Sequence, residues 1–239
     1  MKTWPDFSFA FQPIVNVSTG ETISYEALVR GVGDTPASGV FQQVSLDDKY
    51  NFDEVLRFEA IRLAASLGLD CQINLNFLPQ SLTISEDVIG RTLNAARRCG
   101  WSADRLILEV TETEVIHDRA LFAEKMSSYR TTGLSISIDD FGAGYSGLNL
   151  LADFLPDQIK IDMALIRNIH LSGPRQAIVR GIIRTCLDLG IDILAEGVES
   201  IDEYQWCFNE GIEIFQGYFF GRPLYQQLMR PAFQKNVVV

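Results

Sequence analysis

The chain opens with two segments whose apolar residues alternate or run together, as they do in β-strands. "FSFAFQPIVNV" and "TISYEALVR" are separated by "STGE", a short segment of turn-forming residues. Two strands joined by so short a turn pair antiparallel. The pattern therefore predicts a β-hairpin at the start of the chain.

After this hairpin, helical and strand patterns alternate. The helical segments "NFDEVLRFEAIRLAASLG", "EDVIGRTLNAARRCG" and "RALFAEKMSSYRTTG" precede the strand segments "CQINLNF", "RLILEVTE" and "LSISIDDF". The order continues through the strands "QIKIDM", "DILAEGV" and "IEIFQGYFF". The last two follow "RQAIVRGIIRTCLDLG" and "IDEYQWCFNEG", each ending in a glycine suited to a helix C-cap. Alternating strands and helices predict a parallel sheet.

The number of strands favours a closed barrel. With the hairpin included, about eight strands are predicted, at the spacing of a (β/α)8 TIM-type barrel whose first strand is antiparallel. The competing α/β fold is an open doubly wound sheet, which normally carries a glycine-rich turn after its first strand, and this turn is not visible here. No change in composition marks a boundary, so we expect a single domain over residues 1–239.

Composition and charge narrow the class of partner. With 47% hydrophobic and 21% charged residues, the chain is typical of a globular protein rather than a disordered one. A net charge of −11 disfavours duplex nucleic acid and anionic membranes. No apolar segment approaches the ~18 residues of a membrane span. The four cysteines lack CxxC spacing and are expected to be reduced thiols, which fits a cytoplasmic protein.

Polar side chains interrupt the apolar strands near their C-terminal ends. They are Glu26, Asn74, Asn76, Glu109, Glu112, Asp139, Asp140, Lys160, Asp162, Glu196, Glu199 and Gln216. Any one acid could be a helix N-cap or a surface charge, but caps favour Asp, Ser and Thr, whereas this set is rich in Glu and has amides within strands. In a barrel these strand ends converge on one rim, where active sites are built. We therefore expect a functional site there.

Carboxylates crowded on one rim require a cation. Each close pair repels by ~4 kcal/mol at 4 Å with an effective dielectric near 20. Hard oxygen ligands without nearby His or Cys select Mg²⁺ or Mn²⁺, with Ca²⁺ a further candidate, over Zn²⁺. The two histidines, His117 and His170, lie at helix starts or loops. The pattern thus excludes Ser-His-Asp and HExxH chemistry.

Asp139 and Asp140 pose a geometric problem, because successive side chains on a strand point to opposite faces. If the strand ends at Asp139, Asp140 can turn back towards the same rim, and the pair can reach two metals. Paired ions ~3.5 to 4 Å apart activate water and stabilise both oxygens of an in-line phosphoryl displacement. Gly142, Gly144 and Gly147 would let the following loop bend beside a bulky ligand. The alternative is a flexible loop without a ligand.

Lys160 is the lone cation of the set. It lies between Ile159 and Ile161 and therefore faces away from them, in step with Asp162. One interpretation is a structural ion pair with Asp162 or Asp139. The other is that its ammonium orients or polarises an attacking water.

With these residues assembled, the chain resembles an EAL domain, a family of bacterial cyclic di-GMP phosphodiesterases named for the triplet that here is Glu26-Ala27-Leu28. The resemblance runs from residue 11 to residue 224 and rests on "FQPIV", "YEALVR", "LEVTE", "DDFGAGYSGL", "IKID", "AEGVES" and "QGYFFGRP". It implies a (β/α)8 barrel with an antiparallel first strand. It also implies second-messenger signalling by hydrolysis of cyclic di-GMP to linear 5′-pGpG with two Mg²⁺ or Mn²⁺ ions, and Ca²⁺ as an inhibitory ion.

The resemblance also implies roles for individual residues. Glu26, Asn76, Glu109 and Asp139 would hold one metal, and Asp139, Asp140 and Glu196 the other. Lys160 would lie beside the attacking water and act in catalysis with Glu26 and Glu196. Gln12, Leu28, Arg30, Asn76, Glu199 and Gln216 would contact the substrate, with Arg30 at a phosphate and Glu199 also supporting the metal ligands. Glu112, Phe141, Gly142, Gly144, Tyr145 and Ser146 would couple the loop to the metals and to a homodimer contact.

Two points stay open at this level. The family commonly reads Asn-Leu-Ser where this chain reads "INLNFLP", so either Asn74 or Asn76 supplies the amide, and we prefer Asn76 because it is nearer the strand end. The alternative functions are a cyclic di-GMP receptor or protein-interaction module without turnover, and a metal-dependent barrel enzyme acting on a small carbonyl compound. The first normally lacks some acidic ligands, which are present here, and the second leaves the loop and QGY motifs unexplained. EAL domains commonly follow sensor domains, so the resemblance leaves two options, an upstream sensor domain as a partner or a stand-alone protein.

Overall fold

A computed structural model of the protein describes residues 4–84, 87–111, 116, 118–144 and 147–229. Its strands are β1 (Phe7–Asn16), β2 (Glu21–Gly31), β3 (Thr35–Pro36), β4 (Gln72–Asn76), β5 (Leu106–Thr111), β6 (Ser135–Phe141), β7 (Gln158–Ile161), β8 (Asp192–Ala195), β9 (Ile214–Phe215) and β10 (Leu224–Tyr225). Its α-helices are α1 (Ala37–Phe41), α2 (Lys49–Ser66), α3 (Ser81–Ile84), α4 (Val88–Arg98), α5 (Arg119–Arg130), α6 (Gly147–Asp153), α7 (Met163–Ile166), α8 (Gly173–Leu189) and α9 (Ile201–Asn209). Short 3₁₀ helices span Leu46–Asp48, Ala103–Arg105 and Ile169–Leu171.

The sheet closes into a barrel. From β2 the parallel neighbours are β4, β5, β6, β7, β8 and β9 in turn, and β1 pairs antiparallel with both β2 and β9. The short strands β3 and β10 add to the edges of β2 and β1. The predicted (β/α)8 TIM-type barrel with an antiparallel first strand is confirmed, and the competing open sheet is wrong.

Helices cover the barrel because their apolar residues recur at helical spacing. In α4 the buried residues are Val88, Ile89, Thr92, Leu93 and Ala96, which form one stripe. This stripe joins an apolar cluster with α2, α5 and the outer faces of β1, β2, β4 and β5. A second cluster joins α8 and α9 to β7, β8 and β9. The two clusters hold the strand ends, and hence the rim, in fixed positions.

Helix ends follow the local sequence. Gly190 adopts a left-handed conformation (φ 70°) at the end of α8, as predicted for its C-cap. Ser200 begins α9 with a capping box, in which Ser200 and Glu203 exchange hydrogen bonds with each other's backbone. The last barrel strand is shorter than predicted, because the chain leaves the sheet after Phe215. The backbone of Gly217 packs directly against Val198, which only glycine permits.

No helix in the described ranges is both long enough and apolar enough to cross a membrane. No disulfide joins Cys71, Cys99, Cys186 and Cys207 in the described structure. Burial raises the pKa of Cys186 to about 11 and that of Cys207 to about 12, so both thiols stay protonated.

Candidate active site at the barrel rim

The centre of the rim is a buried lysine. Lys160 lies on β7 with no exposed surface. Its Nζ is 2.7 Å from Glu109 Oε1 and from Glu196 Oε1, 2.9 Å from Asp139 Oδ1 and 3.6 Å from Glu26 Oε2. We call Lys160 and these four carboxylates the Lys160 cluster. Neighbouring strands contribute them, since β2, β5 and β6 carry Glu26, Glu109 and Asp139, and Glu196 directly follows β8.

The Lys160 cluster carries more negative than positive charge. Burial raises the pKa of Glu109 to about 8, against the opposing effect of Lys160, and Glu26 and Asp139 raise it further. Burial likewise raises the pKa of Glu196 well above its ordinary value. Burial would lower the pKa of Lys160, but the surrounding carboxylates raise it well above its ordinary range. The single ammonium group therefore offsets only part of the negative charge of the four carboxylates.

Asp140 reaches the rim by a different route from the one predicted. The strand does not end at Asp139 but continues to Phe141. Asp140 has a left-handed backbone (φ 54°), and between Ile138 and Phe141 the register of β6 against β7 shifts by one extra residue. This β-bulge breaks the alternation of side chains. As a result, Asp139, Asp140 and Glu196 each offer a carboxylate oxygen within 4.8 Å of the others.

A pair of glutamine side chains extends the Lys160 cluster. Gln216 Nε2 donates to Glu26 Oε2 at 2.6 Å and to Gln12 Oε1 at 3.2 Å. Gln12 Nε2 in turn donates to the carbonyl of Gly221 at 3.1 Å. Both N–H donors of Gln216 are used in these contacts. Its acceptor, Oε1, is buried and has no hydrogen-bond partner in the described structure.

The two asparagines on β4 occupy different places. Asn74 is fully buried and donates from Nδ2 to Glu109 Oε1 at 2.9 Å. Asn76 lies two residues closer to the rim and is exposed. The amide in contact with the Lys160 cluster is therefore that of Asn74, whereas Asn76, which we preferred as a metal ligand, lines an adjacent cavity.

That cavity has a volume of about 550 Å³ and mostly apolar walls. Leu28, Arg30 and Asn76 line it, as do Phe41 and Phe52 among others. Leu28 and Arg30 follow Glu26 at two-residue steps on β2, which places all three on one face of the strand. The predicted substrate contacts thus continue outwards from the Lys160 cluster.

Sequence reasoning missed two further residues of this cavity. Asp53 and Arg57 on α2 form a buried ion pair, and Arg57 also donates to Thr92 Oγ1 at 3.2 Å. Burial raises the pKa of Asp53, while Arg57 counteracts it. The sequence contains a signal for this ion pair, namely an acid four residues before an arginine on an otherwise apolar helix face. Residues at this spacing meet on one side of a helix.

Some predicted residues lie elsewhere. The Glu199 carboxylate pairs with Arg167, at 2.5 Å from Nη1 and 2.7 Å from Nη2, on the outer rim. Asp162 caps α7 by accepting from the N–H of Ala164 at 2.8 Å. Phe141, the last residue of β6, is buried, and Gly142 and Gly144 follow it in the loop. Glu112, Tyr145 and Ser146 lie outside the described residues.

The donor set of the rim fits divalent cations. At the rim, the described residues include buried oxygens without a hydrogen-bond partner, among them Asn74 Oδ1, Glu109 Oε2 and Gln216 Oε1. Unpaired buried acceptors beside an excess of carboxylates are costly unless a cation joins them. Carboxylate and amide oxygens are the ligands of Mg²⁺, Mn²⁺ and Ca²⁺. Such a site can bind an anionic phosphate group despite the negative charge of the chain.

Comparison with known proteins agrees with this geometry. The family model "EAL domain" matches residues 4–223. The chain is 43% identical to a standalone versatile EAL protein from Vibrio cholerae O395 in its c-di-GMP bound form, with a TM-score of 0.91 over 98% of this chain and 99% of that one. Klebsiella pneumoniae BlrP1 in its manganese/cy-diGMP complex is 40% identical, with a TM-score of 0.89 over 97% of this chain and 59% of that one.

A curated relative adds a different activity. The blue light- and temperature-regulated antirepressor BluF of Escherichia coli K12 is 40% identical over 215 residues, which are 90% of this chain and 53% of BluF. This chain therefore spans about half the length of that relative. The motifs, the barrel and the family match lead to one conclusion: the chain belongs to the EAL domain family.

Proposed function

We propose that this protein is a phosphodiesterase that hydrolyses cyclic di-GMP to linear 5′-pGpG. The observation that carries the proposal is the Lys160 cluster, a fully buried ammonium with four carboxylates within 3.6 Å. A charge arrangement this unbalanced is costly to the fold, so it is best explained by a ligand. Solved relatives in complex with cyclic di-GMP supply the substrate class.

Two divalent cations, when bound, supply an activated water and stabilise both oxygens of an in-line phosphoryl displacement. Glu26, Glu109, Asp139, Asp140 and Glu196 are the carboxylates that would hold them. Asn76 is the predicted amide ligand, and Asn74, whose Oδ1 is buried and unpaired, competes with it for that role. The Mn²⁺ in the BlrP1 complex supports Mn²⁺ or Mg²⁺ as the working ion. A second BlrP1 complex holds calcium, which we propose binds here without supporting turnover.

Lys160 acts as a hydrogen-bond donor rather than a base. The surrounding carboxylates raise its pKa well above the ordinary value, so it keeps its proton at neutral pH. A fixed ammonium beside the scissile phosphate orients the attacking water and stabilises negative charge that develops on the phosphate. Its contacts with Glu109 and Glu196 keep it in place.

The remaining rim residues bind the rest of the dinucleotide. Arg30 is part-exposed at the mouth of the cavity, 3.4 Å from Asp34, where its guanidinium can pair with a phosphate. Leu28 and the aromatic walls of the cavity suit the apolar face of a guanine base. The proposed contacts on the side of the rim opposite this cavity are Gln12, Gln216 and Glu199. Gln216 offers an acceptor oxygen that has no hydrogen-bond partner in the described structure.

The test is incubation of the protein with cyclic di-GMP and Mn²⁺ or Mg²⁺, with pGpG followed by chromatography. We expect product that EDTA abolishes and that Glu26→Ala lowers by about 10³-fold or more, since both cation binding and substrate orientation depend on this carboxylate. Glu21→Ala, an exposed glutamate at the start of the same strand, is the matched control and should keep full activity. Equal turnover in Glu26→Ala and Glu21→Ala would reject the assignment.

A second candidate is a cyclic di-GMP receptor without turnover. It is favoured by the relative BluF, which is named an antirepressor. The same incubation separates the two functions, since a receptor binds cyclic di-GMP, measured by calorimetry, but releases no pGpG at any Mn²⁺ concentration.

The proposal also covers the domain organisation, location and oligomeric state of the protein. The chain acts as one EAL domain over residues 1–239, in the cytoplasm and as a homodimer, with the loop from Phe141 to Ser146 at the dimer contact. A sensor domain as a partner is supported by BluF, which is regulated by blue light and temperature and of which the match covers 53%.

A further inference from the structure

A second buried charge lies next to the rim and takes no part in the Lys160 cluster. Glu203, in the first turn of α9, is 2% exposed. Its Oε2 accepts from the backbone N–H groups of Glu199 at 2.9 Å and Ser200 at 3.1 Å. Its Oε1 accepts from the N–H of Asn168 at 2.8 Å. One carboxylate thus receives three backbone hydrogen bonds from two different loops.

The two loops are the segments that follow β7 and β8. The first carries Asn168 and begins two residues after Lys160. The second, residues 196–200, begins with Glu196, whose N–H donates to the carbonyl of Ile161 at the end of β7 at 3.1 Å. Glu196 of the Lys160 cluster therefore lies in one of the segments that Glu203 joins, and Lys160 lies on β7, directly before the other. We call Glu203 and its three N–H donors the Glu203 clamp.

The geometry goes beyond an ordinary helix cap. A capping box needs only the hydrogen bonds between Glu203 and Ser200. The third bond, to Asn168, crosses 35 residues of chain. Asn168 adopts a left-handed backbone (φ 53°), an uncommon conformation for a residue other than glycine, at the point where its N–H meets Glu203. Such a conformation persists only when the surroundings determine it.

Close packing restricts most of the loop after β8. Gly197 (φ 64°) lies so close to Met163 that a Cβ would overlap the Met163 side chain. Val198 is buried and donates to the carbonyl of Gln216 at 3.1 Å. The loop is thus packed between α7 and the segment after β9. The clamp fixes its remaining end.

We propose that Glu203 is a positioning residue, which holds the loops after β7 and β8 together and thereby sets the Glu196 carboxylate at the correct distance from Lys160. The proposal deepens the proposed function, because it assigns Glu203 to the support of the same site. Residues that orient metal ligands typically change metal affinity by about 10- to 100-fold when they are replaced. Glu203 is ionised for this task, since the backbone hydrogen bonds lower its pKa although burial opposes them.

The test combines two readouts on Glu203→Gln, in which a neutral amide replaces the carboxylate and presents an NH₂ group to backbone N–H donors. Hydrogen exchange of the metal-free protein should speed up by about tenfold or more in both segments 167–172 and 196–200, since charge-assisted hydrogen bonds are lost at each. The affinity for Mn²⁺, measured by calorimetry, should fall by about 10-fold or more. The kcat for cyclic di-GMP should fall while KM stays nearly constant.

Two control variants isolate the clamp. Ser200→Ala removes the other half of the capping box, and we expect it to loosen α9 without changing exchange in segment 167–172. Glu213→Gln removes an exposed charge outside both segments and should leave exchange and Mn²⁺ affinity unchanged. If Glu203→Gln does not fold, Glu203→Asp replaces it, because its shorter side chain cannot reach both loops.

The outcomes separate this proposal from the proposed function. Unchanged exchange in segment 167–172 of folded Glu203→Gln, or an unchanged Mn²⁺ affinity, would overturn the clamp even if the wild-type protein hydrolyses cyclic di-GMP. Faster exchange in both segments together with weaker Mn²⁺ binding would support the clamp even if the wild-type protein has no hydrolytic activity, in which case only the phosphodiesterase is rejected.

Discussion

Two buried charged centres lie side by side at the rim, and they differ in how well their charges are satisfied. In the Lys160 cluster, four carboxylates share one ammonium, and Glu109 Oε2 has no hydrogen-bond partner among the described residues. In the Glu203 clamp, one carboxylate receives three backbone N–H groups. The pKa of Glu109 is raised to about 8, whereas that of Glu203 is lowered.

The comparison distinguishes a buried charge that stabilises the fold from a buried charge that binds a ligand. A buried ion that is fully hydrogen-bonded stabilises one conformation and needs nothing further. A buried group of carboxylates with too little positive charge is costly, and natural proteins keep such a group where a cation or substrate completes it. The contrast between the two centres therefore indicates which one binds a ligand.

The largest expected effect comes from removing the cation of the Lys160 cluster. Lys160→Met leaves buried carboxylates without their ammonium, and breaking a buried pair typically costs about 3–5 kcal/mol of unfolding free energy. Turnover should fall by about 10²- to 10³-fold, the usual cost of removing one preorganised hydrogen-bond donor that stabilises charge in the transition state. Urea unfolding in EDTA and kcat in Mn²⁺ are the measurements.

Lys125→Met is the matched control for this change. Lys125 lies on α5, and its ammonium donates to the carbonyl of Leu82 at 3.1 Å, so its loss should cost about 1 kcal/mol or less. The account would be wrong if both variants showed the same stability and the same kcat as the wild-type protein.

Cation binding should stabilise the fold through the Lys160 cluster. At a Mn²⁺ concentration 100 times the dissociation constant, mass action adds ~2.7 kcal/mol to the unfolding free energy. For a chain of this size, each kcal/mol raises Tm by roughly 2–4 °C. Asp139→Asn, which removes a charge shared by both predicted ion sites, should lose most of this shift. A full Mn²⁺ shift in that variant would place the ion elsewhere.

A smaller effect is expected at the clamp side of the rim. Gly197→Ala adds a Cβ at φ 64°, which costs ~1–2 kcal/mol in backbone strain, and the new atom overlaps the Met163 side chain. Gly211→Ala is the control, since Gly211 also has a positive φ (94°) but no atom lies near its Cβ position. Thermal unfolding should show Gly197→Ala to be the less stable of the two. Equal Tm values would indicate that the loop yields to the added atom.

The weakest effect is a dependence on pH in the metal-free protein. The folded-state pKa values of Asp140 and Glu109, about 6 and about 8, lie above the ordinary values of 3.8 and 4.5. A carboxyl with a raised pKa stabilises the fold at low pH and loses this contribution as the pH rises through the raised value. The Tm in EDTA should therefore fall between pH 5 and pH 9, and Mn²⁺ should bind more tightly at the upper end. A Tm in EDTA that rises over this range would contradict the assigned shifts.

Much of the site could be predicted from the sequence because its signals are local. The alternation of apolar residues locates the strands, and Glu26, Glu109, Asp139 and Lys160 interrupt that alternation at their ends. A closed parallel sheet brings strand ends together, so proximity followed from the fold class. The acidic character of the set then predicted a cation. The structure brings these four residues into direct contact.

The remaining features depend on distant parts of the chain. Asp140 reaches the rim through a bulge, where its backbone is left-handed (φ 54°). The sequence does not predict this bulge, because a left-handed backbone is usually indicated by glycine. Ser200 and Glu203 read as a capping box in the sequence, but the hydrogen bond to Asn168 depends on the packing of α7 against the loop after β8. Asn74 and Asn76 share a strand face, so only burial tells them apart.

The central claim is that the carboxylates of the Lys160 cluster, together with Asp140, bind divalent cations. The most direct measurement is anomalous X-ray diffraction from crystals grown with Mn²⁺. The account predicts anomalous peaks between the carboxylates of Asp139, Asp140 and Glu196 and beside Glu26 and Glu109, absent from crystals of Asp139→Asn. A protein saturated with Mn²⁺ that shows no anomalous peak at these carboxylates would contradict it.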